Sequence, residues 1–220
     1  MYKYAFFDLD GTITNPGVGI TSAVAYALEH YGIHTEDKTT LYPFIGPPLV
    51  DSFMKYFDFP KEKAREAVYV YREYYSVKGL FENDIYEGVP EMLKTLKENG
   101  IFICLATSKP EEFAVKIIKH YDLDKYFDLI CGATMDETRT KKAEVIRYAI
   151  DRIESSVDSN ISNEDIVMIG DREHDILGAK EVGLDSIGVL YGYGSQDELE
   201  SAGATRIIST PLETVDAVMN

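Results

Sequence analysis

Apolar residues along this chain fall into short unbroken runs, separated by stretches in which they recur every three or four positions. The unbroken runs are Tyr4–Leu9, Ile101–Ala106, Phe127–Cys131, Ile166–Ile169, Ser186–Leu190 and Arg206–Ile208. Continuous rather than alternating apolar character suits strands covered on both faces. The stretches between them have helical spacing. Glu91–Asn99 stops at Gly100, Pro110–Tyr121 opens on proline, and Lys141–Ile153 and Asp175–Val182 follow, the last ended by Gly183. Strand alternating with helix predicts an α/β fold built on a doubly wound parallel sheet. Such sheets collect ligands at the C-terminal edge of their strands. Asp8, Thr107 and Asp171 each stand at the end of a predicted strand, so they can meet there although far apart in sequence.

Between Thr14 and Ile85 the alternation stops. Gly19–Tyr31, Leu49–Phe57 and Pro60–Val77 have helical patterns, punctuated by Gly46-Pro47-Pro48 and Asp58-Phe59-Pro60. This predicts a small all-helical domain over residues 15–85, inserted into a core formed by residues 1–14 and 86–220. Linkers are expected near Asn15–Pro16 and Asn83–Gly88.

Composition narrows the function classes. A chain of 220 residues with 45% apolar and 27% charged content can bury a substantial core. No apolar run approaches the ~20 residues that span a bilayer. No basic segment or cleavage site precedes the first strand, so no signal peptide is expected. The two cysteines, Cys104 and Cys131, sit in strand-like runs and read as buried free thiols of a cytoplasmic protein. The net charge of −16 argues against nucleic acid or an anionic membrane as partner. A small phosphate remains compatible, because a cation and a few local lysines override the global field at a site.

The candidate chemistry starts at Tyr4-Ala5-Phe6-Phe7-Asp8-Leu9-Asp10-Gly11-Thr12. Residues two apart on a strand face one side, so Asp8 and Asp10 can converge at its end, and Gly11 permits a tight turn there. Two such acids need a cation, a shared proton or a substrate. Three later features follow in order: Ile103-Cys104-Leu105-Ala106-Thr107-Ser108-Lys109-Pro110, the pair Lys141-Lys142, and Ile166-Val167-Met168-Ile169-Gly170-Asp171-Arg172-Glu173-His174-Asp175. Together they resemble the four motifs of the haloacid dehalogenase-like hydrolases, most closely the phosphoglycolate-phosphatase-like group with a helical cap. The resemblance runs from about Tyr2 to about Ala204.

That resemblance implies a Mg²⁺-dependent phosphatase. Asp8 would be the nucleophile and Asp10 the acid and base. The implied metal ligands are Asp8, Asp10 through its backbone carbonyl, Asp171 and Asp175. Thr107 would donate to a phosphoryl oxygen. Gly11, Thr12 and Ser108 would line the phosphate site. The third-motif lysine is Lys142, with Lys141 the alternative, because the usual Lys-Pro-x-Pro is replaced by Arg139-Thr140-Lys141-Lys142. In the cap, Gly46 would lie on a substrate-facing loop, and Arg72 would meet an anionic leaving group unless its helix simply packs through tyrosines. Lys109 could face the substrate, but a lysine before proline reads more simply as solvated, as do Glu173 and His174. The expected partner is a small phosphorylated metabolite such as phosphoglycolate, a nucleotide or a sugar phosphate, and the chain would be a monomer or homodimer. A phosphomutase resembling β-phosphoglucomutase, and a non-catalytic phosphate-binding protein, are the competing expectations.

Overall fold

The structure is a computed structural model that describes residues 1–136, 138–157 and 160–220. The chain forms two compact units, Met1–Asn15 with Ile85–Asn220, and Pro16–Asp84. Strand β1 (Tyr4–Phe7) opens the larger unit. The chain passes through β2 (Thr14–Asn15) to α1 (Gly17–His30), α2 (Leu49–Phe57) and α3 (Lys61–Tyr75), and returns through β3 (Asp84–Ile85). Then come α4 (Val89–Glu98), β4 (Phe102–Pro110), α5 (Glu111–His120), β5 (Leu129–Ala133), α6 (Lys142–Ser156) and β6 (Ile166–Gly170). The elements α7 (Glu173–Val182), β7 (Asp185–Val189), α8 (Gln196–Ala202), β8 (Arg206–Ile208) and α9 (Glu213–Met219) complete the unit. Strands β2 and β3 form a separate two-stranded sheet.

The six-stranded sheet has the order β5-β4-β1-β6-β7-β8 and is parallel throughout. Chain order runs outward from β1 in both directions, so the sheet reverses its winding beside β1, where a crevice opens at the carboxyl ends of strands. The register fixes what reaches that edge. Phe7 pairs with Leu105 on one side and Ile169 on the other, so the residues just beyond them emerge together. All four residues of β1 are buried, as the unbroken apolar run requires. One face packs Tyr4, Phe6, Cys104, Cys131 and Met168 against Val145, Ile146, Ala149 and Ile153 of α6. Both cysteines are buried free thiols.

The smaller unit holds its helices together differently. Phe44, in a 3₁₀ segment at Lys38–Phe44, meets the Phe53 ring edge-on at 5.0 Å. Phe53 stacks on Phe59 at 5.9 Å, and Tyr31 closes on Phe59 at 5.1 Å. Lys63 caps the cluster with its ammonium 3.9 Å from the Phe59 ring centre.

Several elements differ from the sequence expectation. Strand β4 continues to Pro110, with a shift in register after Thr107, so Thr107 and Lys109 lie within a strand rather than a loop. Pro110 is therefore the residue before α5 and not its first turn. The short helices α8 and α9 were not expected. In α8 only Leu199 and Ala202 are buried, too few to set up a visible period.

Candidate active site

The turn after β1 is built by its own backbone. The N–H groups of Ile13 and Thr14 both donate to the Leu9 carbonyl at 2.9 Å, and Gly11 N–H donates to Thr14 O at 2.7 Å. Gly11 sits at φ +86°, and a Cβ there would fall 2.1 Å from the Asp171 carboxylate. A side chain at position 11 is thus excluded twice, by backbone conformation and by contact. Gly192 makes the same room from the other side: its Cβ would lie 2.3 Å from that of Asp171.

Six charged side chains are buried at this edge: Asp8, Asp10, Asp171, Asp175, Lys109 and Lys142. Asp8, Asp171 and Asp175 each offer an oxygen within 4.8 Å of the others. Lys142 Nζ lies 2.8 Å from Asp8 Oδ1 and 2.8 Å from Asp175 Oδ1, and it donates to the Ala106 carbonyl at 2.9 Å. The Asp8 contact is an ion pair without hydrogen-bond alignment, and Asp8 Oδ1 has no aligned donor among the described residues. Lys109 Nζ sits 2.8 Å from Asp10 Oδ1 and 2.7 Å from Oδ2. Asp171 accepts from Tyr193 N–H at 2.8 Å and faces the Thr12 hydroxyl at 3.5 Å. Asp175 also caps its own helix, accepting from Arg172 N–H at 3.1 Å.

Burial dominates the electrostatics. It pushes the Asp171 carboxyl well above its ordinary range, the neighbouring Asp175 adds to the shift, and the Tyr193 N–H opposes it. Asp175 moves up for the same reason of burial, against the pull of Lys142. Asp10 is raised by burial and held back by Lys109. Lys142 is pulled down by burial, but Asp175 and Asp8 outweigh that and leave it above its ordinary value. Four carboxylates against two ammonium groups leave the cluster two negative charges in excess when all six are ionised. A buried excess of that sign and size, made of hard oxygens, fits one divalent cation.

The other candidates are placed as follows. Thr107 is buried, and its hydroxyl accepts from Lys109 N–H at 3.2 Å. Ser108 is half-buried beside it. Gly11 and Thr12 both face Asp171. Lys141 is exposed at the start of α6, one residue from the buried Lys142. His174 is half-buried in the first turn of α7, where burial lowers its pKa. Gly46 is at φ +102° before α2, and Arg72 is half-buried on α3.

One expectation is overturned outright. Lys109 is not a solvated lysine before a proline; it is buried and paired with Asp10, because β4 extends far enough to carry it inside. Glu198 was missed altogether. It accepts from Arg172 Nε at 2.8 Å and Glu173 N–H at 2.9 Å, clamping the start of α7. The run Tyr191-Gly192-Tyr193-Gly194 after a predicted strand was the available signal for the Asp171 cradle.

The haloacid dehalogenase-like hydrolase family profile matches residues 5–189. The chain belongs to the haloacid dehalogenase-like hydrolases. It is 45% identical over 200 residues to a 5'-nucleotidase of Pseudomonas aeruginosa, covering 91% of this chain and 88% of that protein. It is 33% identical to the tyrosine-protein kinase PtkA of Mycobacterium tuberculosis over 97% of this chain and 70% of that protein. Among solved structures, a predicted phosphatase from Clostridium acetobutylicum superposes with a TM-score of 0.95 at 43% identity, covering 100% of this chain and 99% of that one. The chain is a phosphoric monoester hydrolase of this family. No helix among the described residues is long and apolar enough to cross a membrane.

Proposed function

We propose that this chain hydrolyses small phosphate monoesters through an aspartyl-phosphate on Asp8, with Mg²⁺ as cofactor. The observation that carries the reading is the buried trio Asp8, Asp171 and Asp175, bridged by Lys142 and set beside the Asp10–Lys109 pair. Asp8, Asp171 and Asp175 would hold the cation with the Asp10 carbonyl. The bound cation neutralises phosphoryl oxygens and the carboxylates around them. The rest falls to the protein. Asp8 attacks phosphorus while the ester oxygen departs, and Asp10 protonates that oxygen as the P–O bond breaks. Asp10 then takes a proton from water, whose oxygen attacks phosphorus and frees Asp8 with release of phosphate. Lys142 keeps Asp8 oriented and balances charge as it grows on the phosphoryl group, and Thr107 and the Ser108 region donate to that group.

The helical unit Pro16–Asp84 is proposed as the substrate-selecting cap, with Gly46 and Arg72 as its substrate-facing residues. The similarity to a 5'-nucleotidase makes 5'-nucleotides the first substrates to try. The test is phosphate release from 5'-nucleotides, phosphoglycolate and sugar phosphates with Mg²⁺, beside Asp8→Asn and EDTA controls. Release lost in both controls supports the reading. Transfer of the phosphoryl group to a second hydroxyl, without free phosphate, replaces hydrolysis by mutase or kinase chemistry. No turnover across the panel overturns it.

A further inference from the structure

Three of the four buried carboxylates at the site cluster together, and the fourth does not. Asp10 is two residues from Asp8 and buried like it, yet its side chain is absent from the trio. Its two oxygens are both taken by the Lys109 ammonium, at 2.8 and 2.7 Å. Both partners are shielded, with side-chain exposures of 4% for Lys109 and 11% for Asp10, so the pair is weakly screened and strongly directional. Lys109 is itself held firmly. Its N–H is tied to the Thr107 hydroxyl at 3.2 Å, and its carbonyl presses on Gly132 of β5, where a Cβ would fall 2.7 Å away. Gly132 N–H donates to Glu111 at 3.0 Å, and Arg139 stands 3.6 Å from the same Glu111 carboxylate. The bend Lys109–Glu111 is thus locked to the neighbouring strand, and the lysine stem reaches from it to Asp10.

The geometry points to Lys109 as the positioning residue for Asp10: it holds that carboxylate out of the cation-binding trio and on the side where it serves as proton donor and acceptor. This rests on the role given to Asp10 above. Without the ammonium, a buried carboxylate beside a cation site has one strong attraction left, which is the cation. Asp10 would then turn into the trio and stop serving the leaving group.

The two parts of that consequence are measurable separately. An alkyl phosphate needs its leaving oxygen protonated, and p-nitrophenyl phosphate hardly does. In kcat/KM, which reports phosphoryl transfer, Lys109→Met should cost about 100-fold or more on the best alkyl monoester of the panel and less than about 5-fold on p-nitrophenyl phosphate. Lys109→Arg should recover at least about tenfold of the loss, since it restores the charge. Calorimetric titration with Mg²⁺ alone should show Lys109→Met binding the cation at least about threefold more tightly than the wild type, because a further carboxylate joins the site. The double variant Asp10→Asn with Lys109→Met removes both charges and so leaves no orphan to disrupt folding. It should match Asp10→Asn alone within about threefold, since a residue acting only through Asp10 has nothing left to position. Equal loss on both esters, or the same cost of Lys109→Met in the Asp10→Asn background as in the wild type, overturns the positioning role. If Asp10→Asn itself fails to discriminate between the two esters, the fault lies with the role of Asp10 and not with Lys109.

Discussion

The two units of this chain bury different kinds of residue. In the α/β unit a core of Phe6, Ile103, Met168 and their aliphatic neighbours ends in six buried charges. In the helical unit a cluster of aromatic rings packs with aliphatic residues such as Ile20, Leu28 and Val68, and its buried polar residues are the neutral Thr21, Ser22, Ser52 and Asn83. Burying a charge costs several kcal/mol unless it is paired, whereas burying a phenyl ring is favourable from the start. The larger unit therefore carries electrostatic strain that a cation or substrate can relieve. Among the described residues, the smaller one buries no charged side chain. Under the proposed function, chemistry falls to the unit with buried charges and substrate selection to the other.

The sharpest way to break that division is Asp8→Asn. Phosphate release should fall by on the order of 10⁴-fold, the scale of losing a nucleophile, while thermal unfolding of the protein stays in place. A variant that unfolds instead would make Asp8 structural. Lys142→Met tests the strain directly. In EDTA it should lose about 3–5 kcal/mol in urea unfolding, the cost of orphaning buried carboxylates, and Mg²⁺ should restore more stability to it than to the wild type. Phe53→Ala probes the other unit. It should cost about 3 kcal/mol of stability through a cavity among the rings, yet leave Mg²⁺ binding by calorimetry unchanged. A matching loss of Mg²⁺ affinity would show that the division is false.

Glu198→Ala sharpens the account of the larger unit. Loss of the contacts to Arg172 and the start of α7 should cost about 1–2 kcal/mol, with a weaker hold on Mg²⁺ because Asp175 lies in that first turn. The smallest effect is in pH. Asp175 is raised from 3.8 to about 6 in the folded chain, and Asp171 is raised as well. Between those two values the folded state binds more protons than the unfolded one, so the cation-free protein loses stability as pH rises through that window. Mg²⁺ needs the deprotonated carboxylates. Its stabilisation should be slight near about pH 5 and larger near about pH 7.5, as read from thermal midpoints with Mg²⁺ and with EDTA. Equal stabilisation at both would place the cation elsewhere.

Much of this was legible in the chain itself. The unbroken run Tyr4–Phe7, the two acids after it and the Gly11 turn are local features, and strand length, turn chemistry and side-chain alternation are fixed within a few residues. The same holds for α2, whose bounds Leu49–Phe57 follow from its flanking Pro48 and from the left-handed Asp58 at its end. The strand ends also brought Asp8, Thr107 and Asp171 to one edge, and the resemblance chose Lys142 over Lys141, but the Lys109–Asp10 pair and the Glu198 contacts escaped. Lys109 looks solvated until β4 is seen to extend past Thr107 against β5, and it meets Asp10 only because β1 and β4 lie side by side. Lys142 rather than Lys141 enters the site because α6 starts where it does and turns that one side chain toward Asp8 and Asp175. Glu198 reaches α7 from a helix with almost no apolar period. Periodicity records which face of an element is dry. Which charge meets which is decided by packing, because a charge pairs through space with whatever the fold brings within reach, and sequence spacing does not encode that distance.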